Sequence, residues 1–292
     1  MSNTAANLKR KIASAGDLES VVRTMKAIAA SSIGQYENAV RALDEYDRTV
    51  QLGLVACFHQ PQQPALQPAR KRNEAPVGAI VFGSDQGLVG QFNEVLVEFV
   101  SAELGKLPGH KIVWAAGERI QSRLADGDFT PGRHFSLPGA ISGISALVSE
   151  ILIETETRRQ RGEVDRIFLF HNRPKSGALY EPVCQALLPL DAAWQKDLAS
   201  RPWPTKNLPE VIDCTPATRL AWIREYLFVS LFRACAESLA SENASRLAAM
   251  QRAEKNIGEL LDMLGSDFHR LRQNAIDEEL FDVVSGFDAL AG

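Results

Sequence analysis

The sequence predicts an α/β fold combined with a long antiparallel α-helical coiled coil formed by its N- and C-terminal helices. Three observations carry this. Apolar residues step by three or four from Leu8 to Leu54 and again from Leu220 onward. Neither stretch contains a proline. Between them the pattern changes to short β-branched runs alternating with helical ones.

The first helix is expected from about Asn3 to Phe58. Its stripe is Leu8, Ile12, Ala15, Leu18, Val22, Met25, Ala29, Ser32, Tyr36, Val40, Leu43, Tyr46, Val50 and Leu54. At 1.5 Å per residue such a helix would be about 80 Å long, far more than a small domain is wide. Gly16 and Gly34 each weaken it by roughly 1 kcal/mol relative to Ala, so tertiary packing must hold it. The Pro- and Gln-rich run from His59 to Pro76, with Arg70-Lys71-Arg72, reads as a solvated linker.

The middle block changes period. Val77–Phe82, Lys111–Ala116, Val164–His171 and Leu179–Leu190 read as strands. Gln91–Leu104, Glu118–Leu124 and Ile141–Arg159 read as helices. Strands alternating with helices imply βαβ units, a mostly parallel sheet covered on both faces and a Rossmann-like block. Pro202, Pro204, Pro209 and Pro216 mark a second linker, and Thr215 or Thr218 can cap the helix that follows. That helix carries Leu220, Ile223, Leu227, Leu231, Ala234, Ser238, Ser241, Ala244 and Ala248. It turns polar at Gln251 and Lys255, then resumes in a new phase at Ile257, Leu260, Leu264, Phe268, Leu271 and Ala275. The expected division is a coiled-coil helix over 1–58, an α/β block over 76–200 and a second coiled-coil helix over 216–292.

Neither long helix can stand alone in water with one apolar face bare. Both leave the same block, so they must pair antiparallel. Counting from the shared end places residue 30 opposite residue 244. Ala27-Ile28-Ala29-Ala30-Ser31-Ser32 then faces Ala240-Ser241-Glu242-Asn243-Ala244-Ser245, and small residues on both sides allow close approach of the backbones. The second helix outlasts the first. Beyond about residue 270 it bears Leu271, Ile276, Leu280, Phe281 and Val284 with no partner expected within the chain, which points to an interaction protein.

Composition narrows the function classes. The chain has 292 residues, 45% hydrophobic and 23% charged, with a net charge of −4. This is the balance of a folded, soluble protein and offers no broad basic surface for nucleic acid. Apolar runs stop well short of the about 20 residues that span a membrane, and the N-terminus lacks a signal or transit pattern. Cys57, Cys184, Cys214 and Cys235 are scattered, which suits a reducing compartment.

Catalytic motifs are weak. Gly83, Gly87 and Gly90 resemble a phosphate cradle, but the Gly-Lys-Ser/Thr ending and the G-x-G-x-x-G spacing are both missing, so a structural strand-to-helix turn is expected. His59, His110, His134, His171 and His269 do not fall at metal-ligand spacing with Cys or carboxylates. Asp277-Glu278-Glu279 points in diverging directions on a helix and reads as a solvated face. Arg272 and Gln273 are the strongest candidates for polar contact with a partner, because a guanidinium fork and an amide offer several hydrogen bonds at once. No cofactor or metal is expected.

Three ordered motifs resemble the gamma subunit of F-type ATP synthases. Lys11-Ile12-Ala13-Ser14 with Thr24-Met25-Lys26-Ala27-Ile28-Ala29-Ala30-Ser31 is similar to that family's opening helix. Ser84-Asp85-Gln86-Gly87-Leu88-Val89-Gly90-Gln91-Phe92-Asn93 resembles the loop after its first strand. Ala240 to Met250, continuing through Arg272-Gln273-Asn274-Ala275-Ile276-Asp277-Glu278-Glu279-Leu280 to Val283-Val284-Ser285-Gly286, resembles its C-terminal helix. The chain departs at Gln86 (Arg in the family), Val89 (Cys or similar), Gln91 (Gly), Asp277 (Thr) and Ser32–Tyr36, where the family is basic. These departures suggest a divergent branch, in keeping with the alternate, sodium-type form of some bacteria.

The resemblance implies a non-catalytic central rotor. One copy would sit in a ring of alternating alpha and beta subunits, with the α/β block as a foot on the epsilon subunit and the membrane ring of c subunits. It would lie peripherally on the cytoplasmic face of the bacterial inner membrane. Arg272, Gln273, Asp277, Glu279, Glu242, Arg246, Met25 and Lys26 would contact the ring subunits, while Asp85, Gln86 and Leu88 would belong to the foot. Two other classes stay open on the residues alone. One is a ligand-binding α/β enzyme with Asp85 at the ligand edge of its sheet and helical dimerisation arms. The other is a homodimeric coiled-coil adaptor or chaperone.

Overall fold

Helix α1 (Ala5–Phe58) buries one residue in seven. Leu8, Ala15, Val22, Ala29, Tyr36 and Val50 are buried, Leu43 is half-buried, and Cys57 continues the series. A seven-residue seam is the signature of left-handed coiled-coil packing. The second seam position is four residues on, at Ile12, Lys26, Ile33, Val40, Asp47 and Leu54, all at least half-buried. Leu18 and Tyr46, expected in the stripe, are 53% and 46% exposed. They lie three residues past a seam position, and in these turns the partner helix covers the four-residue step instead. The computed structural model describes residues 5–58, 75–127, 129–175, 178–190, 192–200, 203–207 and 215–291. His59, the first linker and much of the second lie outside them.

Helix α6 (Pro216–Ala291) starts as its sequence dictates. Pro216 occupies the first helical position, where its missing N–H costs nothing. Thr215 is the cap: its hydroxyl accepts the Thr218 N–H at 3.2 Å. Val229, Ala236, Asn243, Met250 and Ile257 are buried, and Leu264 and Leu271 half-buried. The seam therefore keeps one heptad phase through the polar stretch, where a break and a new phase were expected. Leu220 and Leu260 fall off it and are 47% and 42% exposed.

The two helices form an antiparallel coiled coil, and the chain packs as two compact units. The first unit comprises residues 1–29 and 246–292. Here Val22, Met250 and Ile257 are buried together, flanked by Met25, Ala249, Ala253 and Leu261. The second unit, residues 30–245, holds the α/β block with the remaining parts of both helices. Within it Asp44 meets Arg233 at 2.6 Å and Tyr46 donates to Glu225 at 2.7 Å. The Trp222 ring lies so close to Gly53 that an added Cβ would come within 2.7 Å of it. Later residues of α1 thus meet earlier residues of α6.

The sheet of the second unit has the order β3-β2-β1-β4-β5. Strands β1 (Val77–Phe82), β2 (Lys111–Ala116), β3 (Thr130–Pro131) and β4 (Arg166–Lys175) run parallel, and β5 (Ala178–Leu188) returns antiparallel beside β4. β3 and a short helix α5 (Ala192–Ala199) were not anticipated. One face of the sheet, with Ile80, Phe82, Trp114 and Leu169, packs on α4 (Ile144–Gln160) and on Leu231, Cys235 and Leu239 of α6. The other face, with Ala79, Val81, Val113 and Phe170, packs on α2 (Phe92–Gly105) and α3 (Glu118–Leu124). Burial on both faces is what near-continuous apolar strands require.

Candidate functional site

The loop after β1 is tied down by its own side chains. Asp85 accepts the Glu118 N–H through Oδ1 and the Leu137 N–H through Oδ2, both at 2.9 Å. It thereby satisfies the N-terminus of α3 and fixes the segment after β3. Asn93 Oδ1 accepts the Ser84 N–H at 3.1 Å, its amide donates to the Ser84 hydroxyl at 2.8 Å, and that hydroxyl donates to the Gln86 carbonyl. Gly83 lies under Ile120, where a Cβ would come within 2.2 Å of the Ile120 Cβ. Gly117 has φ +119°, and a Cβ there would sit 2.7 Å from the Ser84 carbonyl oxygen. Gly83 and Gly117 serve close packing, and the carboxylate serves the backbone. The groove beside this loop is lined by Gly87, Gly90, Glu94, Arg119, Arg123 and Asp126, and Asp85 does not line it. Leu88 stands out at φ 63° and 61% exposed, with Gln86 also exposed and Asp85 half-buried.

In a doubly wound sheet the ligand crevice lies at the carboxyl ends of the strands. In this chain α6 bonds to part of that edge, and an open groove remains beside the loop after β1. Phe82, the last residue of β1, is in register with His171 of β4. Ser238 of α6 donates its hydroxyl to the Phe82 carbonyl at 3.0 Å. His171 Nε2 meets Glu237 Oε2 at 2.8 Å. Ser245 donates to the Val89 carbonyl at 2.5 Å, in the loop just described. On the opposite face Asn172 donates to the Phe92 carbonyl at 3.0 Å, holding the first turn of α2. Ser238, Ser245, Glu237 and His171 are all buried. Sequence reasoning missed this joint. The available signal was compositional: Glu237, Ser238, Ser241, Glu242, Asn243 and Ser245 crowd nine residues with no polar face, as in a helix buried on most sides.

The expected partner-contact residues divide. Arg272, Gln273, Asp277 and Glu279 are exposed, as are Ile276, Leu280, Phe281, Val283 and Val284 around them. Met25 and Lys26 are half-buried between α1 and α6, and Arg246 is half-buried. Lys26 Nζ is brought to Glu254 Oε2 at 2.5 Å, with Arg23 Nε 3.6 Å from the other oxygen, an acid that the sequence did not single out. Glu242, expected as a partner contact, is only 5% exposed in this chain by itself.

Cys57 is buried, Cys235 is a buried free thiol and Cys184 is a free surface thiol; Cys214 lies outside the described residues. Burial pushes the Cys184 thiol up to about 11, and burial with the nearby Glu242 carboxylate pushes Cys235 up as well. Neither is poised as a thiolate nucleophile. Among the described residues no three His, Cys, Asp or Glu side chains gather as metal ligands. No described helix is long and apolar enough to cross a membrane.

The ATP synthase family model, ATP-synt, matches residues 4–290. The ATP synthase gamma chain of Moorella thermoacetica is 26% identical over 296 residues, covering 97% of this chain and 98% of that one. The gamma chain of Desulforudis audaxviator is 27% identical over 298 residues, with 97% and 98% covered. Among solved structures, a chain of the Euglena gracilis mitochondrial ATP synthase (OSCP/F1/c-ring, rotational state 3) superposes with a TM-score of 0.70 at 15% identity, covering 98% of this chain and 94% of that one. The rotor of the same enzyme in rotational state 1 gives 0.66 at 14% identity, with 93% and 98% covered. These superpositions share the fold, and the family model spans nearly every residue. The chain belongs to the ATP synthase family.

Proposed function

We propose that the chain is the central rotor stalk, the gamma subunit, of an F-type ATP synthase, and that it is itself non-catalytic. The observation that carries this is the course of one helix. α6 is bonded into the carboxyl edge of the sheet at Glu237, Ser238 and Ser245, and past residue 271 it bears only exposed side chains over the turns whose burial is described. Bare Ile276, Leu280, Phe281, Val283 and Val284 call for a surrounding protein.

In this role the α/β block is the foot, resting on an epsilon subunit and a ring of membrane c subunits at the cytoplasmic face of the bacterial inner membrane. The coiled coil enters a ring of alpha and beta subunits. A single asymmetric shaft cannot touch three beta subunits alike, so each is biased differently between open and closed states and nucleotide affinity follows shaft angle. Linkage makes the coupling reciprocal: ion flow drives synthesis, and hydrolysis drives the shaft backward. Arg272, Gln273, Asp277 and Glu279 are the proposed contacts at the exposed end, Arg246, Met25 and Lys26 lie lower, and Gln86 and Leu88 present the foot loop. The test is cross-linking. In the assembled complex, Gln273→Cys bearing a short bifunctional reagent should form an adduct with a ring subunit and stop ATP hydrolysis. Efficient modification of that cysteine with no ring adduct would contradict the assigned contact.

A further inference from the structure

We propose that Glu237 with His171, Ser238 and Ser245 form the torque-bearing joint between the foot and α6, an inference that rests on the rotor function proposed above. A shaft driven through its foot needs a contact that resists rotation of the helix about its own axis. Apolar packing resists separation strongly but is non-directional and tolerates sliding. Hydrogen bonds are directional. Ser238 and Ser245 are seven residues apart, two turns along one face, and their acceptors Phe82 and Val89 are likewise seven apart at the end of β1 and in its loop. Glu237 adds a bond about 100° around the helix, to a strand that pairs with β1. Bonds on two sides of one helix oppose rotation in either direction.

The geometry sets the slip. These side chains act at about 5 Å from the helix axis, and a hydrogen bond is lost when it lengthens by about 1 Å. The joint therefore yields only about 10° before its bonds break. All four groups are buried, but His171 and Glu237 also line a groove open to solvent, so it is at Ser238 and Ser245 that a broken bond leaves polar atoms unpaired. Other charged groups line the groove beside the pair: Glu103 of α2, Arg173 of β4 and Arg233 of α6. Arg173 is held by Glu181 and Arg233 by Asp44 and Asp47, so the neighbouring cations are already engaged. These are positioning residues; no nucleotide or ion is expected to touch them.

The experiment uses the whole complex, purified and reconstituted in vesicles, and reads ATP-driven ion uptake per ATP hydrolysed. Ser238→Ala with Ser245→Ala, and separately Glu237→Ala, are expected to assemble and to hydrolyse ATP within about twofold of the parent, while uptake per ATP falls about threefold or more as the shaft slips under load. Glu237→Gln keeps an acceptor for His171 and is expected to restore most of the ratio, which a loss of stability alone would not do. If the double serine variant does not assemble, the single serine variants carry the same test. An unchanged ratio in assembled variants, or a Gln variant as defective as Ala, would overturn the joint while leaving the rotor intact. A parent chain that enters no pumping complex would overturn the rotor itself.

Discussion

Lys26 and Glu254 face each other across the two long helices at 2.5 Å, each four residues past a buried seam position, Val22 on α1 and Met250 on α6. Polar residues at the second seam position thus meet a complementary charge, and the same logic places Asp47 beside Arg233 in the other unit. Such pairs fix register more than they add stability.

This pair should be visible in acid. The Lys26 hydrogen bond, reinforced by Arg23, holds the Glu254 carboxyl below the usual range although burial opposes it. A carboxyl depressed on folding contributes stability that is present above its unfolded value, about 4.3, and is lost as pH falls through the lower folded value. Glu254→Gln should therefore lower Tm at pH 7 and shrink the further drop in Tm on acidification below about pH 4. Thermal melts of both chains at pH 7 and pH 3.5 check it. An identical acid drop would contradict the pairing.

Asp85 separates a structural loop from a ligand site. Asp85→Ala leaves the Glu118 and Leu137 N–H groups without their acceptors and should cost about 2 kcal/mol in denaturant unfolding. Isothermal titration should find no tight nucleotide binding to the parent chain. Micromolar binding abolished by Asp85→Ala would revive the enzyme alternative.

Gly83 and Gly117 should resist substitution for different reasons. Gly83→Ala drives a Cβ into the Ile120 side chain beneath the sheet edge and should cost about 1–3 kcal/mol. Gly117→Ala combines a left-handed φ of +119° with a contact to the Ser84 backbone, which cannot swing aside, and should cost at least as much, about 2 kcal/mol or more. Unfolding midpoints in urea decide both.

Much of this was legible from spacing alone. The two long helices, the mostly parallel sheet and a threonine cap at 215 or 218, of which Thr215 is the one used, all follow from local patterns that no tertiary contact overrides. The stripe drawn at steps of three or four was too permissive. It admitted Leu18 and Tyr46, whereas a strict seven-residue period from Leu8 picks out the buried seam and excludes them. Leu18→Gln should accordingly change stability by about 0.5 kcal/mol or less, while Val22→Ala should cost about 1–2 kcal/mol. β3 escaped notice because two residues carry no period, and its place depends on hydrogen bonds to β2. The joint between α6 and the sheet escaped for a related reason. Glu237 looks like a surface residue until His171, sixty-six positions earlier, is brought beside it. Burial at Glu242 likewise depends on what the fold stacks around that turn.

The exposed end of α6 should matter to coupling but not to the foot. Truncation before Arg272 removes side chains that over residues 272–285 are exposed in the isolated chain. Its urea midpoint should therefore shift by no more than about 0.5 kcal/mol, while ATP-driven ion uptake by the complex falls severalfold. Undiminished uptake would count heavily against the contacts assigned to Arg272, Gln273, Asp277 and Glu279.

The central claim is that one copy of this chain turns inside a ring. Native mass spectrometry of the complex captured from its own membranes through a tag on this chain tests it most directly. The expected mass corresponds to one copy with three alpha and three beta subunits, and ATPase activity should follow the tag. A free homodimer without ATPase activity would contradict the rotor and favour a coiled-coil adaptor.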